Sequence, residues 1–554
     1  MIPPTRTTPV GELPKTLLEL LQRSAAEFGD RTALITSDQR VSYRELADRV
    51  DRYARGLVAG GVGKGSHVAL LMENDPDWIA FAFAATSLGA VFVPISTFGR
   101  ADDIAYNLRH ADVDHLYMSA GFLANDYLAM LADVVPEIAT PRNGALYSAN
   151  LPALRNVVVR GADALPSGCL SWAAFEDSAD TVPSDVVQGM QADLDPDDDC
   201  YILTTSGTTA RPKGVLLTHR ALAANGHLIG DYQGLTPEDV VWFYFPLFFS
   251  AGCVNVMLGT LSHGAALIVQ PTFDAGVALE LIERESATAW HLWPHQLRTL
   301  LEHPDWNIRD HSGLHKGTAP YDALRESPHP DGLGGVNMYG MTETATAFAC
   351  TRAHESLDIR ISTQGHLLPG NEISVVDPET GAPVAPGLEG EITVKGPRIM
   401  RRYYKVDPAE TFDADGFFHT GDLGHVDESG RVHFAHRLKE MIKTGGINVS
   451  PADVEKSLLS IPGVDAAYAF PLPGGDKGEY VGAALATAAG TTLDPDTLLE
   501  LCKTEIASYK RPHTLLVLDA DRVPMTGSGK VRKNELRDVL LAAMENGEGP
   551  VVFR

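Results

Sequence analysis

The sequence predicts an α/β protein of several folding units, and three observations carry that prediction. Its 554 residues exceed what one hydrophobic core serves, so two to four units are expected. Short apolar runs alternate with helical stretches through the N-terminal part, the pattern of parallel strand–helix–strand pairing. After about Gly370 the pattern changes to short strands broken by Gly, Pro and Asp turns, and the last stretch, of roughly 115 residues, reads as a small α+β domain.

Each element follows from local chemistry. Ser42-x-x-Glu45 is a capping box, and Leu46, Val50, Tyr53 and Leu57 follow it at helical spacing. Val68–Met72 reads as a strand, Asp77–Leu88 as a helix and Ala90–Ile95 as a second strand, with similar apolar runs at Ala265–Gln270 and Gly335–Asn337. Ile373–Asp377, Gly390–Val394 and Arg431–Phe434 are the expected strands of a β subdomain at about 370–436. Beyond it, Asp453–Ser460 reads as a helix, and Asp465–Pro471 and Tyr480–Ala486 as strands flanking a Gly/Asp/Lys-rich loop at Gly474–Glu479.

Composition excludes several function classes. Hydrophobic residues make up 44% and charged residues 21%, as in ordinary globular chains. The net charge of −27, from 45 basic and 72 acidic residues, argues against nucleic acid or an anionic membrane as the main partner, since both demand a basic footprint. Any anionic substrate must then be held by local groups against the global field. The five cysteines are scattered with no Cys-x-x-Cys pair, which fits a reducing compartment and argues against a disulfide scaffold or a zinc site. No charged region followed by an apolar one opens the chain, and runs such as Trp78–Ala85 fall short of the ~18 residues of a membrane span. These features point to a cytoplasmic protein.

The segment Thr204-Thr205-Ser206-Gly207-Thr208-Thr209-Ala210-Arg211-Pro212-Lys213-Gly214 carries the first functional signal. It follows the apolar run Cys200–Leu203, expected to be a buried strand, and precedes Leu216–Leu222, which can open a helix with Thr218 as N-cap. Hydroxyls, glycines and two cations between a strand and a helix suit a polyphosphate. The Walker A order is absent, because Lys213 precedes Gly214 instead of following a glycine. A solvated turn rich in small residues would have the same composition.

Three further segments join it. In Asn337-Met338-Tyr339-Gly340-Met341-Thr342-Glu343-Thr344, the tyrosine offers a flat face to a base and Glu343 a hard oxygen ligand for Mg²⁺. In Thr420-Gly421-Asp422-Leu423-Gly424, Asp422 can accept from both hydroxyls of a ribose, although Gly-Asp is also a common turn. Pro524-Met525-Thr526-Gly527-Ser528-Gly529-Lys530 presents one lysine on a glycine-rich loop.

Together and in this order, from about Leu17 to Leu541, these segments resemble the ANL superfamily of adenylate-forming enzymes: acyl-CoA synthetases, peptide-synthetase adenylation domains and luciferases. The resemblance implies a large N-terminal adenylation domain (residues 1–438) and a mobile C-terminal domain (residues 439–554) hinged at Lys439. It implies a two-step reaction. A carboxylate attacks the α-phosphate of Mg-ATP to give acyl-adenylate and pyrophosphate, and a second nucleophile, usually the CoA thiol, then displaces AMP. Carried over by residue, Thr205, Ser206, Gly207, Thr208, Thr209 and Lys213 would cradle the β- and γ-phosphates. Gly317, Thr318 and Ala319, with Asn337, Met338, Tyr339 and Gly340, would form the adenine pocket. Thr342 would contact the α-phosphate, Glu343 would bind Mg²⁺, and Asp422 and Arg437 would hold the ribose. Lys530 would be the adenylation lysine, stabilising charge that develops on the bridging oxygens. Lys443, Gly445 and Gly446 would line a thiol tunnel after the C-terminal domain rotates.

Departures from the family pattern refine the expectation. Ala210 stands where glycine is usual, and Phe249 where acyl-CoA synthetases often carry histidine after Pro246-Leu247-Phe248. An α-amino acid would leave its ammonium unpaired beside Phe249, so an apolar, aromatic or alicyclic carboxylate is expected. Phe249, Ser250, Gly317, Met341 and Ala345 would border the acyl pocket. His227 lies near that pocket in the family, where a purely structural histidine serves equally well. The expected activity is an AMP-forming acid–thiol ligase using ATP, Mg²⁺ and CoA. The alternative keeps adenylation but transfers to a carrier-protein thiol or an amine, or activates a nitrogen oxyacid. A homodimer is common among such enzymes.

Overall fold

The computed structural model describes residues 7–142, 145–205, 212–318, 335–444, 447–473, 479–487, 493–506, 510–525, 531–546 and 551–552. The fold is mixed α/β and divides into two compact units. The larger comprises Met1–Ile373, Val394–Phe418 and Ser429–Val432; the smaller comprises Ser374–Thr393, His419–Glu428 and His433–Arg554.

The larger unit is built on two sheets. One has eight strands in the order Arg402–Tyr403, Lys213–Thr218, Asp199–Thr205, Val91–Pro94, His67–Leu71, His115–Ser119, Asn156–Arg160 and Leu170–Ser171. The strands from Asp199–Thr205 onward pair in parallel, as the alternation of strands and helices predicts. The Pro76–Ser87 helix is buried at nearly every position, which is why Trp78–Ala85 is apolar all round. The second sheet runs Lys316–Thr318, Ala289–His291, Val240–Phe243, Ala266–Ile268, Thr32–Ile35 and Arg40–Ser42, with only the last pair antiparallel. The Ser42 capping box forms as read: Glu45 N–H donates to Ser42 Oγ at 3.2 Å, and Ser42 N–H donates to Glu45 Oε2 at 2.7 Å.

One local reading holds and another is corrected. The helix opens after Thr218 as expected, and the residues before it form a strand. Lys213–Thr218 is a strand, antiparallel to Asp199–Thr205 with Thr205 opposite Lys213 and Leu203 opposite Val215, and it also pairs with Arg402–Tyr403. Val215, Leu216 and Leu217 are all buried there, so pairing with distant strands decides the conformation. The helix begins at His219, where Thr218 Oγ1 accepts from Ala221 N–H at 3.2 Å, as the N-cap reading requires. The run Gly335–Asn337 is not a strand. Asn337 N–H donates to the Thr351 side chain at 2.9 Å, and strand pairing starts one residue later at Met338–Tyr339.

The smaller unit holds most of a four-stranded sheet ordered Glu372–Val376, Gly390–Lys395, Phe418–Val426 and Val432–Arg437, and a hairpin of Ile442–Thr444 and Ile447–Val449. It also holds the sheet Ala466–Pro473, Glu479–Thr487, Thr514–Asp519 and Val551–Val552. Strand alternation there feeds two cores. Ala467 and Ala469 pack with Val454 and Leu458 of the Pro451–Leu459 helix, while Phe470 and Leu472 pack with Leu536 and Leu540 of the Lys533–Asn546 helix.

Candidate active site

In the larger unit, strand pairing brings two of the expected residues, Lys213 and Glu343, to Tyr403, which has no place in the sequence-based site. Lys213 starts the strand that pairs with Arg402–Tyr403, with Val215 opposite Tyr403. Its ammonium lies 4.3 Å from the centre of the Tyr403 ring, a cation–π distance. On the other side the Tyr403 hydroxyl donates to Glu343 Oε1 at 2.7 Å. Glu343 sits in the Thr342–Thr344 turn, is 9% exposed, and its carbonyl accepts from Met400 N–H at 2.7 Å. The 394–418 segment thus fixes both the backbone and the carboxylate of Glu343. A buried carboxylate with one oxygen oriented by a phenol suits a hard divalent cation. Nothing around Arg402-Tyr403 forms a motif, so only the pairing with the lysine-bearing strand reveals it.

The turn carrying Glu343 is itself held from below. Asn225, fully buried on the His219–Gln233 helix, donates from Nδ2 to the carbonyls of Thr344, Ala345 and Ala347 at 3.2, 2.7 and 2.9 Å. This side chain also escaped sequence reading. Met341 N–H donates to Thr344 Oγ1 at 3.0 Å, closing the turn, and Ala345 takes the left-handed conformation at φ 48°. Thr205, whose hydroxyl lies 3.5 Å from the Lys213 carbonyl, ends the opposing strand.

The expected adenine strip lies at the edge of the six-stranded sheet. Gly317 has φ 112°, and a Cβ there would stand 2.0 Å from the Trp290 carbonyl, so only glycine fits. Val336 N–H donates to the Gly317 carbonyl at 2.8 Å, joining the strip to the Asn337–Tyr339 segment. Asn337 Nδ2 donates to the Thr363 carbonyl at 2.6 Å, and Tyr339 is 5% exposed between the Met338–Tyr339 and Ala349–Cys350 strands. Gly340 is exposed at the end of that segment. Thr318 Oγ1 lies 2.6 Å from Nδ1 of His291, a buried ring whose pKa desolvation pushes down to about 3. That ring stays neutral at ordinary pH.

An aromatic cluster adjoins the same sheet. Phe245 stacks obliquely on Trp293 at 5.0 Å, Phe248 on Phe249 at 4.5 Å, and Phe249 meets Trp293 edge-on at 6.4 Å. Ser250 follows, and Ala251–Leu258 is wound as a π-helix, a form often found beside functional sites. His227, expected near this pocket, contacts Thr8, Asp231 and His263.

In the smaller unit, Arg437 Nε lies 2.9 Å from Asp422 Oδ1, with the aspartate side chain 3% and the arginine 46% exposed. Both sit on neighbouring strands of the four-stranded sheet. Ser206, Gly207, Thr208, Thr209, Ala319, Gly445, Gly446 and Lys530 lie outside the described residues, and Lys439 and Lys443 are described by their backbone alone. Among the described residues no helix is long and apolar enough to cross a membrane.

Comparison with known proteins bears on this arrangement. Residues 21–404 match the AMP-binding enzyme family and residues 453–530 the AMP-binding enzyme C-terminal domain. The chain is 36% identical to a feruloyl-CoA synthase of Amycolatopsis sp over 91% of this chain and 95% of that protein. It is 34% identical to an indoleacetate–CoA ligase of Aromatoleum aromaticum over 95% and 98%. Its fold is similar to ATP-bound MatB from Rhodopseudomonas palustris, with a TM-score of 0.78 and 29% identity over 95% of this chain and 99% of that one. ATP and CoA are the substrates that acyl-CoA synthetases share with a carboxylate. The chain belongs to the AMP-binding enzyme family of the ANL superfamily, as an AMP-forming acid–thiol ligase of the acyl-CoA synthetase type.

Proposed function

We propose that this ligase activates an apolar, aromatic or alicyclic carboxylate and passes it to CoA. The observation that carries the substrate class is the cluster Phe245, Phe248, Phe249 and Trp293, which offers aromatic surface and no carboxylate for a substrate ammonium. The activities for which the feruloyl and indoleacetate ligases are named support the same class.

In the first step a carboxylate oxygen bonds to the α-phosphorus of Mg-ATP, and the bond from that phosphorus to the β-bridging oxygen breaks, releasing pyrophosphate. Glu343 binds the magnesium of Mg-ATP, oriented by Tyr403, and Thr342 contacts the α-phosphate. Lys213, with Thr205 and residues 206–211, holds the leaving pyrophosphate. Gly317, Thr318, Ala319, Asn337, Met338, Tyr339 and Gly340 take the adenine, Asp422 and Arg437 the ribose, and Met341 and Ala345 border the acyl group. Lys530 supplies a cation to the transition state, where preorganised charge is most effective. The C-terminal domain, from residue 439, then turns about Lys439 and brings Lys443, Gly445 and Gly446 to the pantetheine. Few hinge dihedrals are needed for such a rotation. The CoA sulfur attacks the acyl carbon, and AMP leaves with the bridging oxygen.

The test is a panel of ferulate, indole-3-acetate, cyclohexanecarboxylate, octanoate and phenylalanine, read by pyrophosphate release and by thioester formation. Turnover of the aromatic or alicyclic acids, with phenylalanine at least ~100-fold slower because its ammonium is buried unpaired, is the expected result. Preference for phenylalanine would overturn the substrate class.

A further inference from the structure

His227, Asp231 and His263 form a cluster that the adenylation chemistry does not use. His227 and Asp231 are one turn apart on the His219–Gln233 helix, and His263 follows the Gly259–Leu261 helix. Asp231 Oδ1 lies 3.2 Å from His263 Nε2 and 4.0 Å from His227 Nε2, and one ligand atom from each residue lies within 4.8 Å of the others. The side chains are 19%, 9% and 11% exposed for His227, Asp231 and His263, shielded yet reachable from solvent. A Cβ at position 230 would stand 2.5 Å from the His263 ring, so Gly230 permits this approach.

The two imidazole rings stack at 4.6 Å, and the surrounding hydrogen bonds decide which of their atoms face Asp231. His263 Nδ1 is 2.9 Å from the Gly259 carbonyl, which can only accept, so Nδ1 carries the proton; Ser262 Oγ also lies 3.0 Å from Nδ1. Nε2 then faces a carboxylate oxygen, which is repulsive unless a proton or a cation lies between them. Thr8 N–H donates to the other carboxylate oxygen, Oδ2, at 2.6 Å, leaving Oδ1 directed at the two imidazoles. Thr8 Oγ1, 3.0 Å from His227 Nε2, marks the open side. A proton between His263 Nε2 and Asp231 Oδ1, with the Thr8 hydroxyl on His227 Nε2, satisfies the cluster without a metal. A divalent ion satisfies both imidazoles and the carboxylate.

We infer that His227 Nε2, His263 Nε2 and Asp231 Oδ1 form a binding site for a divalent transition ion, with zinc as the representative, that clamps the N-terminal segment at Thr8 to the His219–Gln233 helix. Zinc bonds of about 2.0–2.2 Å in tetrahedral array place ligand atoms about 3.4 Å apart, and the 3.2 and 4.0 Å separations bracket that value. The backbone carbonyl on His263 Nδ1 and the N–H on Asp231 Oδ2 are the outer partners that such ligands usually have. A water molecule or the Thr8 hydroxyl takes the fourth position. The set is assembled from positions 227, 231 and 263, a spacing that no short metal-binding motif contains.

The test uses the full chain, stripped with chelator, incubated with zinc, desalted and measured by plasma mass spectrometry, with Co²⁺ loading as a spectroscopic check. One zinc per chain, an intense visible cobalt spectrum of tetrahedral type, and a fall of at least ~10-fold in bound zinc in both His263→Gln and Asp231→Asn support the site. Both variants are checked by cooperative thermal melting. The wild-type arms decide even if a variant fails to fold. Zinc below a tenth of an equivalent in the wild type, no tetrahedral cobalt spectrum, or zinc retained in a folded His263→Gln chain overturns it.

Discussion

Tyr403→Phe removes one oxygen and leaves the ring that Lys213 stacks on at 4.3 Å. What is lost is the 2.7 Å hydrogen bond to Glu343 Oε1. A hydrogen bond to a charged group contributes about 1.5–3 kcal/mol, and Glu343 is only 9% exposed, so water restores little of it. At ~1.4 kcal/mol per tenfold, adenylation should fall about 10- to 100-fold in kcat/KM for Mg-ATP. The Mg²⁺ dependence should move to higher concentration, because the carboxylate loses the donor that orients it. Tyr403→Ala should lose a further ~0.5–1 kcal/mol through the cation–π contact. The assay is carboxylate-dependent ATP–pyrophosphate exchange across a magnesium titration. A Tyr403→Phe rate within twofold of wild type at every magnesium concentration refutes the reasoning.

Other outcomes follow from the proposed reaction and from buried histidines. Asp422→Asn weakens the 2.9 Å pair with Arg437 and should raise KM for ATP by roughly 10-fold in the exchange assay, with a smaller effect on KM for the acid. Lys530→Ala should lower adenylation sharply yet spare thioester formation from preformed acyl-adenylate and CoA; equal loss in both half-reactions contradicts the assignment. His219 and His291 are buried neutral, with pKa values pushed down by burial to about 4 and about 3. Their unfolded forms take up a proton below about pH 6.5, so stability should be full above that pH and decline as pH falls toward the folded values. Urea midpoints at pH 7.5 and 5 measure this, and His219→Gln should flatten the difference.

Much of this was legible because the fold's local signals agree with its tertiary environment. The Ser42 capping box, the all-apolar Trp78–Ala85 helix and the Thr218 N-cap each specify their element without distant help. What escaped reading depends on pairing across long separations. Lys213–Thr218 has an apolar pattern that suits strand or helix start, and its strand conformation is set partly by Arg402–Tyr403 nearly two hundred positions away. Tyr403 and Asn225 have no motif around them; they matter because they touch the Glu343 turn from elsewhere in the chain. His227 contacts Thr8 and His263, which no local pattern connects to it.

The central claim is attack by a carboxylate on the α-phosphate with Glu343, Tyr403 and Lys213 at the site of pyrophosphate departure. Its most direct test is turnover of an ¹⁸O-labelled carboxylate with ATP and CoA, followed by mass spectrometry of the products. One labelled oxygen in AMP, unlabelled pyrophosphate, and a CoA thioester formed in equal amount to AMP is the predicted result. Label in inorganic phosphate with ADP as the nucleotide product would contradict the account.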